Sequence, residues 1–308
     1  MSTKIPSDTR QSLVLYGLTF SLKFLTNLYE SKKLPRVLML SGKKGSGKST
    51  LINHFLNYVY DKANYDFKNQ KINKETLFFK QFSNDLFPNI IYLSGSNFKN
   101  VKIDDIRDLK SAINKKALLE KERFIVFDDI ELFNTNSLNA LLKTIEEPSP
   151  ENFFILINNQ SKPLIETIRS RSLEIKILLK NHEKIEIIKF LSNAYNVNCI
   201  LDFKNTNLTP GNFFNFNQIC ETNKINVDDD YIKNIQLLLN LYKKDKNINF
   251  INLIIYLTDN YFYSRKDKDF SKMFDDKSFI IKSLNNLLSY NMNQSTVIHA
   301  INNRLTNG

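Results

Sequence analysis

Cysteine is scarce in this chain, with only Cys199 and Cys220 among 308 residues. Two isolated thiols at neither disulfide-framework nor metal-ligand spacing suit a reducing compartment. Histidine is almost as rare. His54, His182 and His299 stand far apart in the sequence, are read as structural, and receive no chemistry here. Long hydrophobic runs are missing too: FFILI at 153 to 157 is typical of the longest and falls well short of a bilayer span. The start, MSTKIPSDTRQ, has no apolar signal core. Together these absences lead us to expect a soluble, cytoplasmic protein with no membrane partner. No fixed-period repeat occurs, which argues against a solenoid.

Positive charge, by contrast, is abundant. Lys and Arg number 43 against 32 Asp and Glu, a net charge of +11. Such a balance suits an anionic partner, because cations placed on a phosphate backbone release its counterions. The lysines are scattered among Asn and Ile, however, and a solvated lysine surface explains them equally well. A hydrophobic content of 42% with 24% charged residues is ordinary for a globular chain with room for two or three domains.

Leu18, Leu22, Leu25 and Tyr29 recur at helical spacing, so residues 18 to 31 are expected to form an amphipathic helix. The apolar run Val37 to Leu40 then reads as a strand covered on both faces. A helix is expected from Lys48 to about Tyr60, whereas residues 61 to 86 are polar and weakly patterned. Strands are expected at Ile90 to Leu93, Phe124 to Phe127 and Phe153 to Ile157, with helices at Asp104 to Asn114 and around Leu138, Leu141, Leu142 and Ile145, stopped by Pro148. Strands alternating with helices predict a parallel sheet covered on both faces. Past residue 178 only helical patterns follow: Ile185 to Tyr195, Tyr231 to Lys243, Phe250 to Tyr263 and Lys277 to Ser289. The loop NTNLTPGN interrupts them at 205 to 212, and Asp228, Asp229 and Asp230 stand where a new helix begins. Boundaries near 178 and 225 give an α/β domain followed by all-α parts.

Within the segment SGKKGSGKST, residues 41 to 50, Gly42, Gly47, Lys48 and Ser49 satisfy GxxxxGK[ST]. Glycines let consecutive N–H groups curl around phosphate, and the following helix adds its N-terminal dipole. The whole loop, Gly42, Lys43, Lys44, Gly45, Ser46, Gly47, Lys48, Ser49 and Thr50, is the candidate ATP or ADP cradle. Lys48 offers a point charge to the terminal phosphates and Ser49 a ligand to Mg²⁺. The strand FIVF ends in Asp128 and Asp129. Asp128 is the candidate partner for Mg²⁺ with Ser49. The loop and this strand end together resemble those of AAA+ proteins, whose hydrolysing members usually carry a water-aligning glutamate where Asp129 stands, and aspartate is shorter by one methylene.

Several stretches together resemble the clamp-loader branch of AAA+ proteins, and within it the delta-prime subunit family of bacterial DNA polymerase III. Asn139 to Pro148, NALLKTIEEP, is similar to that family's NALLKTLEEP helix, and Ser170-Arg171-Ser172 occupies the place of its SRC motif. Phe87-Pro88-Asn89, the run IDDIRDL from Ile103 to Leu109, and Leu34-Pro35-Arg36 fit as well. The resemblance covers residues 5 to about 178. It implies an AAA+ P-loop NTPase domain over 1–178, a small helical lid over 179–225 and a C-terminal helical collar over 226–308. It further implies a hetero-pentameric ring with gamma/tau-like and delta-like subunits, which opens a sliding clamp on primed DNA. In that ring Arg171 is the arginine finger acting in trans, and Asn159 matches a sensor of the terminal phosphate. A surface arginine paired with an acid, and a strand-terminal turn asparagine, are the plainer readings of these two residues. Lys43, Lys99 and Lys102 are candidates for DNA backbone contact that the sequence does not place.

The departures carry information of their own. Residues 51 to 123 contain no cysteine, so the zinc module of many relatives is not expected. In the lid, Phe214 falls where motor subunits carry a sensing arginine three residues after a glycine, here Gly211. With Asp129, this leads us to expect a subunit that binds nucleotide and hydrolyses it weakly or not at all. The alternatives are an ATP-hydrolysing gamma/tau-like motor, against which FPN and IDDIRDL argue, and an unrelated small-molecule kinase. The kinase reading leaves SRS and NALLKTIEEP without a purpose.

Overall fold

The computed structural model describes residues 9–95, 121–204, 206–227, 229–264, 270–290 and 292–307, with residues 109, 111, 113 and 119. Lys99 and Lys102 lie outside them, as does the helix expected at Asp104 to Asn114, apart from Leu109, Ser111 and Ile113. Among the described residues no helix is long and apolar enough to cross a membrane.

Five parallel strands form one sheet: β1 (Val37–Ser41), β2 (Ile90–Ser94), β3 (Arg123–Asp128), β4 (Asn152–Asn158) and β5 (Leu173–Lys176). Their order is β2-β3-β4-β1-β5. Central strands β1, β3 and β4 have every residue buried except the half-buried Asp128 at the end of β3, which is why they read as continuous apolar runs. Edge strand β5, LEIK, is exposed at both ends; without an apolar run it escaped the sequence pattern. Register sets the carboxyl ends side by side, with Ser41 opposite Asn158 and Ser94 opposite Asp128. Ligands of open parallel sheets gather at such ends.

Alternate residues of the strands feed two apolar clusters. Leu38, Leu40, Phe124, Val126 and Ile155 join one cluster with residues of α1 (Thr19–Glu30), α2 (Lys48–Tyr60) and α3 (Leu77–Ser83). Met39, Ile125, Phe127 and Leu156 join the other with Leu138, Leu141 and Ile145 of α4 (Thr135–Glu146). The α3 helix lies in the stretch read as weakly patterned. It is capped by Thr76, whose hydroxyl oxygen accepts the Phe79 N–H at 3.2 Å, and it buries Phe78, Phe79 and Phe82. Two further helices in sequence order are α5 (Glu166–Arg169) and α6 (Asn181–Tyr195).

The chain divides into two compact units. One runs to Val197 and takes in Asn207–Asn212; the other comprises Asn198–Thr206 and the chain from Phe213 onward. The second is helical: α7 (Pro210–Asn223), which begins in the first unit, then α8 (Tyr231–Asp245), α9 (Ile248–Ser264), α10 (Phe270–Tyr290) and α11 (Gln294–Asn307). Asp230 caps α8 by accepting the N–H groups of Ile232 and Lys233 at 2.8 and 3.3 Å. The buried Asn217 accepts the Ile200 N–H at 2.7 Å and the Leu201 N–H at 3.2 Å, which ties residues 198–201 to α7.

Candidate functional site

Gly42 to Thr50 forms a loop between β1 and the first turn of α2. Gly45 and Gly47 have φ of +79° and +90°, a region costly for residues with a side chain. Gly47 caps α2, so the first N–H groups of that helix, from Lys48 through Thr50, have no helical acceptor and face the loop. Lys48 is 2% exposed. Its ammonium donates to the carbonyls of Gly42 at 2.7 Å and Lys43 at 2.9 Å, and lies 3.3 Å from the Ser46 hydroxyl. Among the described residues no carboxylate forms an ion pair with it. Burial pushes its pKa down to about 8, against the opposing charges of Asp128, Glu131 and Asp129. A buried ammonium without an anionic partner, beside a helix N-terminus, is a donor set that suits an incoming phosphate.

A second layer covers the loop from outside. Thr209 Oγ1 donates to the Lys44 carbonyl at 2.6 Å, and the Gly211 N–H donates to the Gly45 carbonyl at 2.9 Å. A Cβ on Gly211 would lie 2.7 Å from Gly45 Cα. The two backbones approach this closely because neither residue has a side chain.

The ends of β3 and β4 bring the acids to the loop. Asp128 Oδ2 accepts the Ser49 hydroxyl at 2.8 Å and the Tyr92 hydroxyl at 2.6 Å, and Oδ1 accepts the Asp129 N–H at 2.9 Å. Burial raises the Asp128 pKa, with the Tyr92 hydrogen bond opposing it. A hydroxyl that gives its proton to Asp128 keeps its lone pairs free, so Ser49 and Asp128 suit a hard cation such as Mg²⁺. Asp129 is 4% exposed and adopts a left-handed backbone at φ +50°. Its carboxylate lies 3.3 Å from the Lys44 ammonium and accepts the Asn159 carboxamide at 2.8 Å. Asn159 also reaches Asp128 Oδ1 at 3.4 Å.

Arg171 joins none of these groups. Exposed on the surface after α5, it pairs with Glu146 at 2.7 Å and donates to the Thr167 carbonyl at 3.0 Å. In the second unit, Phe214 is 7% exposed and packs edge-on against Phe213 at 5.3 Å.

A family model described as DNA polymerase III, delta subunit, matches residues 18–181, more than half of the chain. The chain belongs to this family. Curated relatives bear names of DNA polymerase III subunits. The delta' subunit of DNA polymerase III from Pseudomonas aeruginosa is 36% identical over 25% of this chain and 23% of its own. The gamma subunit from Buchnera aphidicola subsp. Schizaphis graminum is 26% identical over 58% of this chain and 47% of its own. The chain thus spans less than half the length of either relative. Among solved structures, a gamma subunit-related protein of Thermotoga maritima aligns over 91% of this chain and 96% of its own. At 16% identity and a TM-score of 0.48, that likeness is too distant to carry an argument.

As a member of the DNA polymerase III clamp-loader family, the chain carries its family helix as α4, whose last residue, Glu146, holds Arg171. Four participants in the site went unread in the sequence: Tyr92, Glu131, Thr209 and the Gly211 backbone. Tyr92 left a faint signal, a phenol within the apolar strand IIYL. Glu131 stands within three residues of Asp128 and was readable as a third acid. Thr209 and Gly211 meet the loop from more than 160 residues away in the chain, and no local pattern announces such a contact.

Proposed function

We propose that this chain is a delta-prime-like clamp-loader subunit that holds a nucleotide without turning it over briskly and serves its neighbour's site with Arg171. The observation that carries the reading is the condition of Asp129. This carboxylate, next to Asp128 at the β3 end, is buried, ion-paired to Lys44 and hydrogen-bonded to Asn159. A group so engaged is poorly placed to polarise water. The buried Phe214 adds that no lid arginine stands at that position.

In this reading the backbone of residues 42 to 50 and the Lys48 ammonium bind the phosphates of ATP or ADP, while Ser49 and Asp128 hold Mg²⁺. Held there, Mg²⁺ would supply neutralisation of phosphate charge. Arg171 stands on the surface, and its pair with Glu146 is exposed and therefore weak, so an adjoining triphosphate can compete for it. The division into a nucleotide domain over 1–178, a lid over 179–225 and a collar over 226–308 belongs to the same proposal. So do the hetero-pentameric ring with gamma/tau-like and delta-like subunits, the sliding clamp, primed DNA gripped through its backbone, and a cytoplasmic setting.

A reconstituted ring tests the proposal. Arg171→Ala is expected to lower clamp-dependent ATP hydrolysis sharply, and Lys48→Ala to leave most of it. The reverse pattern would support the second reading, a gamma/tau-like motor. That alternative is favoured by one observation: the Buchnera gamma match extends over 58% of this chain, against 25% for the Pseudomonas delta' match.

A further inference from the structure

After Asp129 the chain makes one tight turn, Ile130–Leu132, and places Glu131 at 5% exposure. A carboxylate removed from water is costly unless its lone pairs are filled. Here, among the described residues, the donors come from one loop. Glu131 Oε2 accepts the Asn159 N–H at 3.1 Å, and Oε1 accepts the Ser161 hydroxyl at 2.7 Å and the Ser161 N–H at 3.3 Å. Between them Gln160 has a left-handed backbone at φ +57°, and its N–H donates to Asn158 Oδ1 at 2.9 Å. Three successive amides just past β4 are therefore held by side-chain acceptors, two of them by Glu131. Charged acceptors make the stronger hydrogen bonds, so Glu131 is the main anchor of this loop.

The loop carries Asn159, whose carboxamide stands 2.8 Å from Asp129 Oδ1 and 3.4 Å from Asp128 Oδ1. Its position follows from where its own backbone N–H is pinned. We propose that Glu131 is a positioning residue for Asn159 and, through it, sets how well the site distinguishes a nucleoside triphosphate from a diphosphate. This inference rests on the nucleotide reading above. Glu131 bonds to the backbone N–H of Asn159 and to Ser161, and so fixes the group that in this proposal reads the terminal phosphate. Replacing its charge by a carboxamide keeps the shape, weakens the anchor and turns one acceptor into a donor facing N–H groups.

Calorimetric titration of the full chain with Mg²⁺–ATP and Mg²⁺–ADP provides the test. Glu131→Gln is expected to lower the ratio of ATP to ADP affinity by about three- to tenfold while ADP affinity changes by less than about twofold. Asn159→Ala should show the same shift, and the double variant should be no worse than Asn159→Ala alone, because the two act in one chain. Amide hydrogen exchange at 159 and 161 should speed up in Glu131→Gln. If exchange speeds up and the ratio stays put, Glu131 merely props the loop and the inference fails. Additive losses in the double variant overturn it too. Should Glu131→Gln not fold, Ser161→Ala removes a single bond and is expected to shift the ratio in the same direction, less far; an unmoved ratio there is equally decisive. A wild-type chain that binds neither nucleotide overturns the nucleotide reading and the discrimination with it. If wild type binds both and Glu131→Gln leaves the ratio unmoved, this inference alone fails.

Discussion

Lys44 and Asp129 form an ion pair with 3.3 Å between ammonium and carboxylate, the lysine side chain 47% exposed and the aspartate 6%. Water screens the cation but hardly reaches the anion, so the contact is stronger than an open surface pair and weaker than a sealed one. Lys44→Ala leaves a buried carboxylate with Asn159 as its main support. Urea denaturation is expected to show a loss of about 1 kcal/mol at low salt, shrinking as ionic strength rises. A loss independent of salt would mean that the lysine stem, not its charge, is what counts.

Lys48 gives the site a pH dependence of known sign. Its folded pKa of about 8 lies below the ordinary 10.5 because of burial. Below pH 8 the ligand-free protein carries a desolvated ammonium; between pH 8 and 10.5 the unfolded chain binds the proton that the folded chain has released, so stability relative to Lys48→Met rises with pH across that window. An anion in the cradle favours the charged form. Nucleotide affinity should therefore be level below pH 8 and weaken above it by up to about tenfold per pH unit. Titrations from about pH 7 to 9.5 check this, and Lys48→Arg, which stays charged, should flatten the profile.

His54 acts on stability in acid. The ring is fully buried, with Nδ1 2.9 Å from the Tyr65 hydroxyl and Nε2 3.0 Å from the Ser12 carbonyl. Burial lowers its pKa from 6.5 to about 4. Between those values the unfolded chain takes up a proton that the folded one refuses. Stability should fall by about 3 kcal/mol as pH drops through this window. In His54→Gln the fall should be smaller, read as the difference in urea midpoints at about pH 7 and pH 4.5.

Gly211→Ala tests the close approach of two backbones. The new methyl would meet Gly45 Cα at 2.7 Å and the Gly45 carbonyl oxygen at 3.0 Å, and neither is the flexible end of a side chain. One backbone must move. The expected cost is about 1 to 3 kcal/mol, accompanied by weaker nucleotide binding as the loop shifts. Alanine at the neighbouring Asn212, which already carries a Cβ, should do much less.

Much of this was legible locally. The phosphate loop shows because three backbone positions need glycine within six residues, and the acids show because an apolar run ends on them. Strands β1, β3 and β4 show because burial on both faces confines their polar residues to the strand ends and leaves an unbroken apolar run between. What stayed hidden depends on distance or on mixed exposure. Edge strand β5 alternates and lacks a run. The α3 helix had both a cap in Thr76 and an apolar face in Phe78, Phe79 and Phe82, and the polar residues around it masked the pattern. In α7 the sequence shows a proline and a glycine where a loop is the natural reading, yet Pro210 opens the helix, a position where its missing N–H does no harm. Glu131 was hidden for a different reason: its partners lie about 30 residues onward, at the end of another strand.

The dependence of the phosphate loop on residues 207–212 limits how the protein can be cut. A fragment ending at Val197 would keep every strand of the sheet and the whole GxxxxGK[ST] segment, yet it would strip Lys44 and Gly45 of the donors that hold their carbonyls. The compact unit that keeps this loop's outer hydrogen bonds therefore extends to Asn212, and ends inside a helix.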